Sequence, residues 1–137
     1  MKAESISYKS LENCDVFLLM ESARQGIDYK TFDELSEKFP LKMSEWSRIL
    51  NVSERTMQRY KREQRRFDPI HSERLILIGL LFKKGTEVFG TINDFLTWLF
   101  TENVSLGGAS PSEFLDNSFG LALVKDELIR IEHGVLA

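Results

Sequence analysis

The sequence predicts an all-α protein, and three observations carry that prediction. Apolar residues recur at three- and four-residue spacing along most of the 137 residues, and no segment alternates with period two. Helix caps and stops punctuate the chain: Asp15, Ser53, Thr91 and Ser110 precede apolar runs, and Gly26 and Pro40 follow them. At the centre, residues 43–67 read as two short helices around a tight turn, the second of them strongly basic. Seven or eight helices are expected, which suits the length.

The bulk numbers bound the class. A chain that is 42% hydrophobic and 28% charged belongs with ordinary globular proteins, and ten Phe and two Trp supply bulk for a core. Its length allows one domain or two small ones sharing a core. No apolar run is long enough to span a membrane, and the opening MKAESISYKS lacks the hydrophobic stretch of a signal peptide. The single Cys14 has no partner for an internal disulfide and fits a reducing compartment. The expected location is the cytoplasm.

The elements follow in order. Residues 1–14 are polar and weakly patterned and read as a loose arm. Asp15 caps a helix running from Val16 to Gln25, apolar nearly all round at its start, so burial on two sides is expected, either in the core or against a second copy of the chain. Phe32, Leu35 and Phe39 mark a second helix, ended by Pro40. After the central pair, Asp68-Pro69 opens a long helix that Gly85 stops or kinks. Thr91 caps a helix through Phe95, Trp98 and Phe100. A loop over residues 101–109 comes next. Ser110, Pro111 and Glu113 have the spacing of a capping box. Asn117 to Gly120 reads as a bend, and a last amphipathic helix carries Leu121, Val124, Leu128 and Ile131 on one face. The expected division is an arm over 1–14, a helix-turn-helix domain over 15–85 and a second helical domain over 86–137.

The central pair is where chemistry is expected. Met43, Trp46, Ile49 and Leu50 bury one face of the first helix. Lys42 stands where a small capping residue is expected, so that helix is expected to start late, at Ser44. Asn51 tolerates the left-handed backbone that the exit needs, and Ser53 caps the second helix. Beyond it, Met57, Tyr60 and Phe67 fall on one side, while Arg55, Gln58, Arg59 and Arg62 fall on another at i, i+3, i+4, i+7 spacing. Basic helix faces are usually only solvated. Here, however, residues 42–74 hold nine Lys and Arg against five Asp and Glu, in a chain of net charge −3. Charge so segregated points to a local polyanion site. Arg can bind guanine, and Gln adenine, through paired hydrogen bonds in the major groove. Arg55, Gln58 and Arg59 are the base-edge candidates, Ser53 opens the reader helix, and Thr56 and Arg62 are the phosphate candidates. Arg65 and Arg66 read either as DNA-backbone contacts or as solvated charge, the second reading being slightly favoured.

Catalysis is not expected. Cys14, His71 and His133 stand far apart and in no ligand spacing. Asp33-Glu34 and Asp126-Glu127 read as solvated helix faces. Gly107-Gly108 lacks the Lys and Ser or Thr of a phosphate loop. No cofactor and no metal are expected.

The second half carries a family pattern: Trp98, then Leu106-Gly107-Gly108, Ser110-Pro111, Phe114-Leu115, Gly120, Val124, Leu128 and Arg130-Ile131-Glu132-His133-Gly134. It resembles the toxin-binding domain of the Xre/MbcA/ParS antitoxins, and Arg24-Gln25-Gly26, the VSERTMQR segment and Val88-Phe89-Gly90 fit the same family. The resemblance implies an Xre-like helix-turn-helix domain packed with a small helical toxin-binding domain. It implies a RES-domain, NAD-consuming toxin as partner, neutralised by covering its active-site cleft. It implies operator DNA of the chain's own operon, bound by a reader helix over residues 53–66, and a homodimer or higher oligomer. The toxin-facing residues it implies are Leu106, Gly107, Gly108, Ser110, Arg130, His133, Gly134 and the tail Val135, Leu136 and Ala137. Two other readings stay open: a stand-alone helix-turn-helix regulator with a ligand- or protein-sensing C-terminal domain, and a neutraliser that has lost DNA binding, against which the basic face argues.

Overall fold

The computed structural model describes residue 11 and residues 15–134. It divides into two compact units, Met1–Leu80 and Leu81–Ala137. The described residues are helical and contain no strand. In order they form α1 (Val16–Gln25), α2 (Tyr29–Lys38), α3 (Met43–Leu50), α4 (Glu54–Glu63), α5 (Pro69–Phe89), α6 (Ile92–Leu99) and α7 (Ser118–Glu132), with short 3-10 turns at Val104–Leu106 and Pro111–Phe114 between the last two. No helix among the described residues is long and apolar enough to cross a membrane.

Local chemistry sets the helix ends of the first unit. The Asp15 carboxylate accepts from the Leu18 amide at 2.8 Å, and Gly26 ends α1 at φ 90°. That positive φ favours glycine, and a Cβ there would also meet the Phe67 carbonyl oxygen. Asp28 caps α2 through the Thr31 amide at 2.9 Å. α3 begins at Met43, earlier than expected, with Lys42 as a cap that gives no side-chain bond. The core is aromatic. Phe67 lies 5.4 Å from Tyr60, 5.6 Å from Phe32 and 6.1 Å from Tyr29 between ring centres, and Phe32 meets Trp46 edge-on at 5.2 Å. All five rings are buried. Burying each such side chain stabilises the fold by roughly 1.5–3 kcal/mol. A buried hydroxyl ties the segments around it: Ser72 Oγ accepts from the Ile27 amide at 2.8 Å and donates to the Phe67 carbonyl at 3.1 Å.

In this unit the core alternative for α1 is excluded, and the loose-arm expectation fails at Leu11. α1 is not sunk in the core: Val16, Phe17 and Met20 are exposed, Phe17 at 77%, and Ser22 is the buried residue of the helix. Leu11, expected in a loose arm, is buried, its Cδ1 close to Gly79. The rest of that arm, residues 1–10 and 12–14, lies outside the described residues.

In the second unit, Gly85 does not stop a helix. α5 runs on to Phe89, and the Phe95 ring presses on the α5 backbone at Gly85, where any Cβ would overlap it. Phe95 in turn packs on Phe82 at 5.3 Å and Trp98 at 6.2 Å. Beside Gly85, Lys84 bonds both carboxylate oxygens of Glu132 at 2.7 and 2.8 Å. Gly120 is not a bend either. It sits in the first turn of α7, where its amide donates to the Asn117 cap at 2.8 Å. The carbonyl of Phe114 fills the place its Cβ would take. Both glycines are selected by close approach rather than by backbone freedom. Glu127, expected on a solvated face, is buried and lies 3.6 Å from Arg130.

Candidate functional site

The turn between α3 and α4 forms as its residues dictate. Asn51 takes φ 58°, ψ 43°, the left-handed conformation expected of it. Val52 is buried in the corner, and its amide donates to the Ser47 carbonyl at 3.1 Å while Ser47 Oγ donates back to the Val52 carbonyl. Ser53 Oγ accepts from the Thr56 amide at 3.1 Å and donates to Thr56 Oγ1 at 2.9 Å. Arg74 of α5 donates to the Ile49 carbonyl at 3.2 Å, bracing α3 from behind.

α4 then separates two chemistries. Met57 and Tyr60 are buried, while Ser53, Arg55, Gln58, Arg59 and Arg62 are exposed and Thr56 is half-buried. Among the described residues no carboxylate pairs with Arg55, Arg59 or Arg62; the guanidinium of Arg59 lies 5.8 Å from the Tyr60 ring centre. The helix is shorter than predicted. It ends at Glu63, and Gln64 turns the chain at φ 53°. Arg65 and Arg66 therefore leave the reader face and are not simply solvated. Arg65 covers Tyr60 at 5.5 Å, and Arg66 donates to the Gly26 carbonyl at 2.8 Å. Each arginine thus has a contact within its own unit. Phe67, also past the helix end, is still the hub of the core.

The second candidate surface belongs to the second unit. Gly107 and Gly108 are exposed at φ 75° and 90°, in a loop knitted by Asn103. Asn103 exchanges backbone bonds with Ala109 and Gly108 at 3.0 and 2.9 Å, and its side chain accepts from the Ser105 amide at 2.9 Å. Ser110 is half-buried, its amide donating to Glu113 at 2.8 Å as the capping-box spacing predicted. Arg130, His133 and Gly134 are exposed. Leu106 is not: it is buried and anchors the loop from inside, so a partner would meet the glycines beside it. Val135, Leu136 and Ala137 lie outside the described residues.

Sequence reasoning missed the most exposed apolar groups of this unit. Val104 is 95% exposed and Phe119 is 90% exposed, with Leu123 also open to solvent. Phe119, Ala122 and Leu123 stand at i, i+3, i+4 on α7, off the stripe formed by Leu121, Val124 and Leu128. A large apolar residue out of phase with a helix's own buried stripe was the available signal.

Known proteins match both units. The family model of the Antitoxin Xre-like helix-turn-helix domain matches residues 18–78, and that of the Antitoxin Xre/MbcA/ParS C-terminal toxin-binding domain matches residues 84–134. The chain is 26% identical over 121 residues to Antitoxin Xre of Yersinia enterocolitica, covering 88% of this chain and 82% of that protein. Its fold is similar to a chain in the crystal structure of the M. tuberculosis MbcT-MbcA toxin-antitoxin complex, with a TM-score of 0.61 at 18% identity, covering 90% of this chain and all of the other. With two matches in the expected order across nearly all of the described residues, the chain belongs to the Xre/MbcA/ParS family of antitoxins, an Xre-like helix-turn-helix domain followed by a toxin-binding domain.

Proposed function

We propose that the chain neutralises a RES-domain, NAD-consuming toxin by covering its active-site cleft, and represses its own operon through α4. The observation that carries this reading is the contrast of the two exposed faces on one chain. One is cationic and bears no ion pair among the described residues; the other is apolar and lies on a domain of the toxin-binding family. The solved toxin-antitoxin complex of the M. tuberculosis relative supports a toxin partner.

On DNA, Arg55, Gln58 and Arg59 read base edges, while Thr56, Arg62 and the capped N-terminus of α4 meet phosphates. One such module covers one half-site, so the working state on DNA is a homodimer or a higher oligomer. On the toxin, Gly107, Gly108, Ser110, Arg130, His133 and Gly134 frame the contact, and Phe119, Leu123 and Val104 supply its apolar centre. The tail Val135, Leu136 and Ala137 plugs the cleft. The chain acts in the cytoplasm and is not an enzyme; it needs no cofactor.

Co-expression with the RES-domain toxin of the same operon tests the first half. The two chains co-purify and cellular NAD is preserved; no complex together with falling NAD rejects neutralisation. Binding to the operon's promoter fragment tests the second half. Affinity falls steeply with salt yet stays above that for random DNA. Equal affinity for both DNAs rejects the repressor role.

A further inference from the structure

One exposed charge of α4 has no place in the contacts proposed so far. Glu54 is the first residue of the helix, between the Ser53 cap and Arg55, and it is exposed. The cap does not need it: Ser53 Oγ already accepts from the Thr56 amide and donates to Thr56 Oγ1. Among the described residues no ion pair holds its carboxylate. Glu63, the other acidic residue of α4, lies at the far end of the helix. A reader helix leads into the major groove with its N-terminal residues. Glu54 therefore enters with Arg55, and the phosphates on either side repel it.

We infer that Glu54 is a specificity-determining residue that selects a cytosine in the half-site. The assignment deepens the operator-binding reading of α4 and rests on it. An ionised carboxylate only accepts hydrogen bonds, so it needs a donor on the base edges. In the major groove those donors are cytosine N4 and adenine N6. Adenine sets its N7 acceptor beside the amine, where the second carboxylate oxygen would meet a lone pair. Guanine presents two acceptors, and thymine an acceptor and a methyl group. Cytosine offers the amine with no acceptor next to it on its own edge. The neighbouring residue agrees. Arg55 suits the O6 and N7 of guanine, the base paired with cytosine, so the opposite charges of adjacent residues match the two halves of a C·G pair. The carboxylate also acts against wrong sites, because any other base leaves it unpaired among phosphates. An acidic residue in a first turn suits the helix dipole as well. That role predicts lost stability on removal but no change in base preference.

Binding selection from a library of randomised DNA duplexes, run with the full chain and two variants, tests it. The wild type enriches a cytosine at one fixed position of the half-site. Glu54→Ala loses that preference and no other, discriminating roughly tenfold less at the position. It also binds random DNA more tightly, because a charge that repelled phosphate is gone. Glu54→Gln keeps the side chain's shape and moves the preference to adenine, whose N6 and N7 an amide can pair with. A Glu54→Gln chain that melts like the wild type and still selects the same cytosine overturns the inference. So does a Glu54→Ala chain that loses affinity for selected and random DNA alike, which is the signature of a helix-dipole role. A wild type that enriches no sequence rejects the operator reading, and this assignment with it. A wild type whose selected sequence neither variant alters rejects the role of Glu54 and leaves the operator reading standing.

Discussion

Helices α4 and α7 are each packed on one face and bare on the other, yet they expose opposite chemistry. α4 shows Arg55, Gln58, Arg59 and Arg62 to solvent, and α7 shows Phe119 and Leu123. A cationic face without ion pairs stays hydrated until a polyanion displaces counterions, so its affinity falls with salt. An apolar face gains by leaving water, which salt barely opposes. The exposed chemistry of a packed helix therefore separates nucleic-acid work from protein work before either partner is in hand. The supports differ too. Behind α4 lies an interlocked set of rings; α7 is seated by a glycine with no room to spare.

The hardest way to break the comparison is to unseat α7. Gly120→Ala places a methyl where the Phe114 carbonyl lies, and neither backbone can yield cheaply. A loss of about 2–3 kcal/mol in unfolding free energy is expected, with neutralisation falling as the second unit loosens. A denaturation curve matching the wild type would mean that α7 can start elsewhere.

The next largest effect falls on partner choice. Phe119→Asp leaves the fold intact, since the side chain is 90% exposed. It costs the toxin complex about 2 kcal/mol or more, as expected for an aromatic anchor at the centre of an interface. Binding to promoter DNA stays unchanged. Titration calorimetry with the toxin reads the first value and mobility shift the second; equal loss in both would show the two faces to be coupled.

Arg59→Ala does the reverse on a smaller scale. If its guanidinium reads a base edge, the operator complex loses roughly 1–3 kcal/mol while random DNA loses less. Equal losses would make Arg59 a phosphate contact. Toxin affinity is untouched either way.

How far these faces could be read from sequence depends on where their information lies. The α3–α4 turn was legible residue by residue, because Asn51 and Ser53 act on backbone one to three positions away. So were the caps at Asp15, Thr91 and Ser110. The close approaches were not. Gly85 and Gly120 look like punctuation in sequence, and only Phe95 and the Phe114 carbonyl, brought against them by packing, give them their real role. Arg66 misled for the same reason, since its partner is the Gly26 carbonyl 40 positions away. α1 misled in the opposite sense. Apolar residues all round a helix predict burial, but a single chain offers α1 only one side to lie on.

The smallest effect tests whether the first unit's helix starts rest on charge. The Asp28 carboxylate is partly buried, which works against its charge. The Thr31 side chain and amide, with the nearby Arg66 and Lys30 charges, outweigh that and hold its pKa below the ordinary 3.8. A carboxylate lowered on folding stabilises the fold above its unfolded value and loses that contribution as pH falls through the folded one. Stability tied to Asp28 is therefore complete at neutral pH and disappears only below about pH 3.8. Asn can still cap the Thr31 amide, so Asp28→Asn removes only a small part of the roughly 1 kcal/mol that a side-chain cap contributes. The variant's urea midpoint should sit slightly below the wild type's at pH 7 and meet it once the carboxyl is protonated. If the gap persists there, the cap's geometry rather than its charge holds α2, and the ionic part of the contrast between the two units is confined to the outward face of α4.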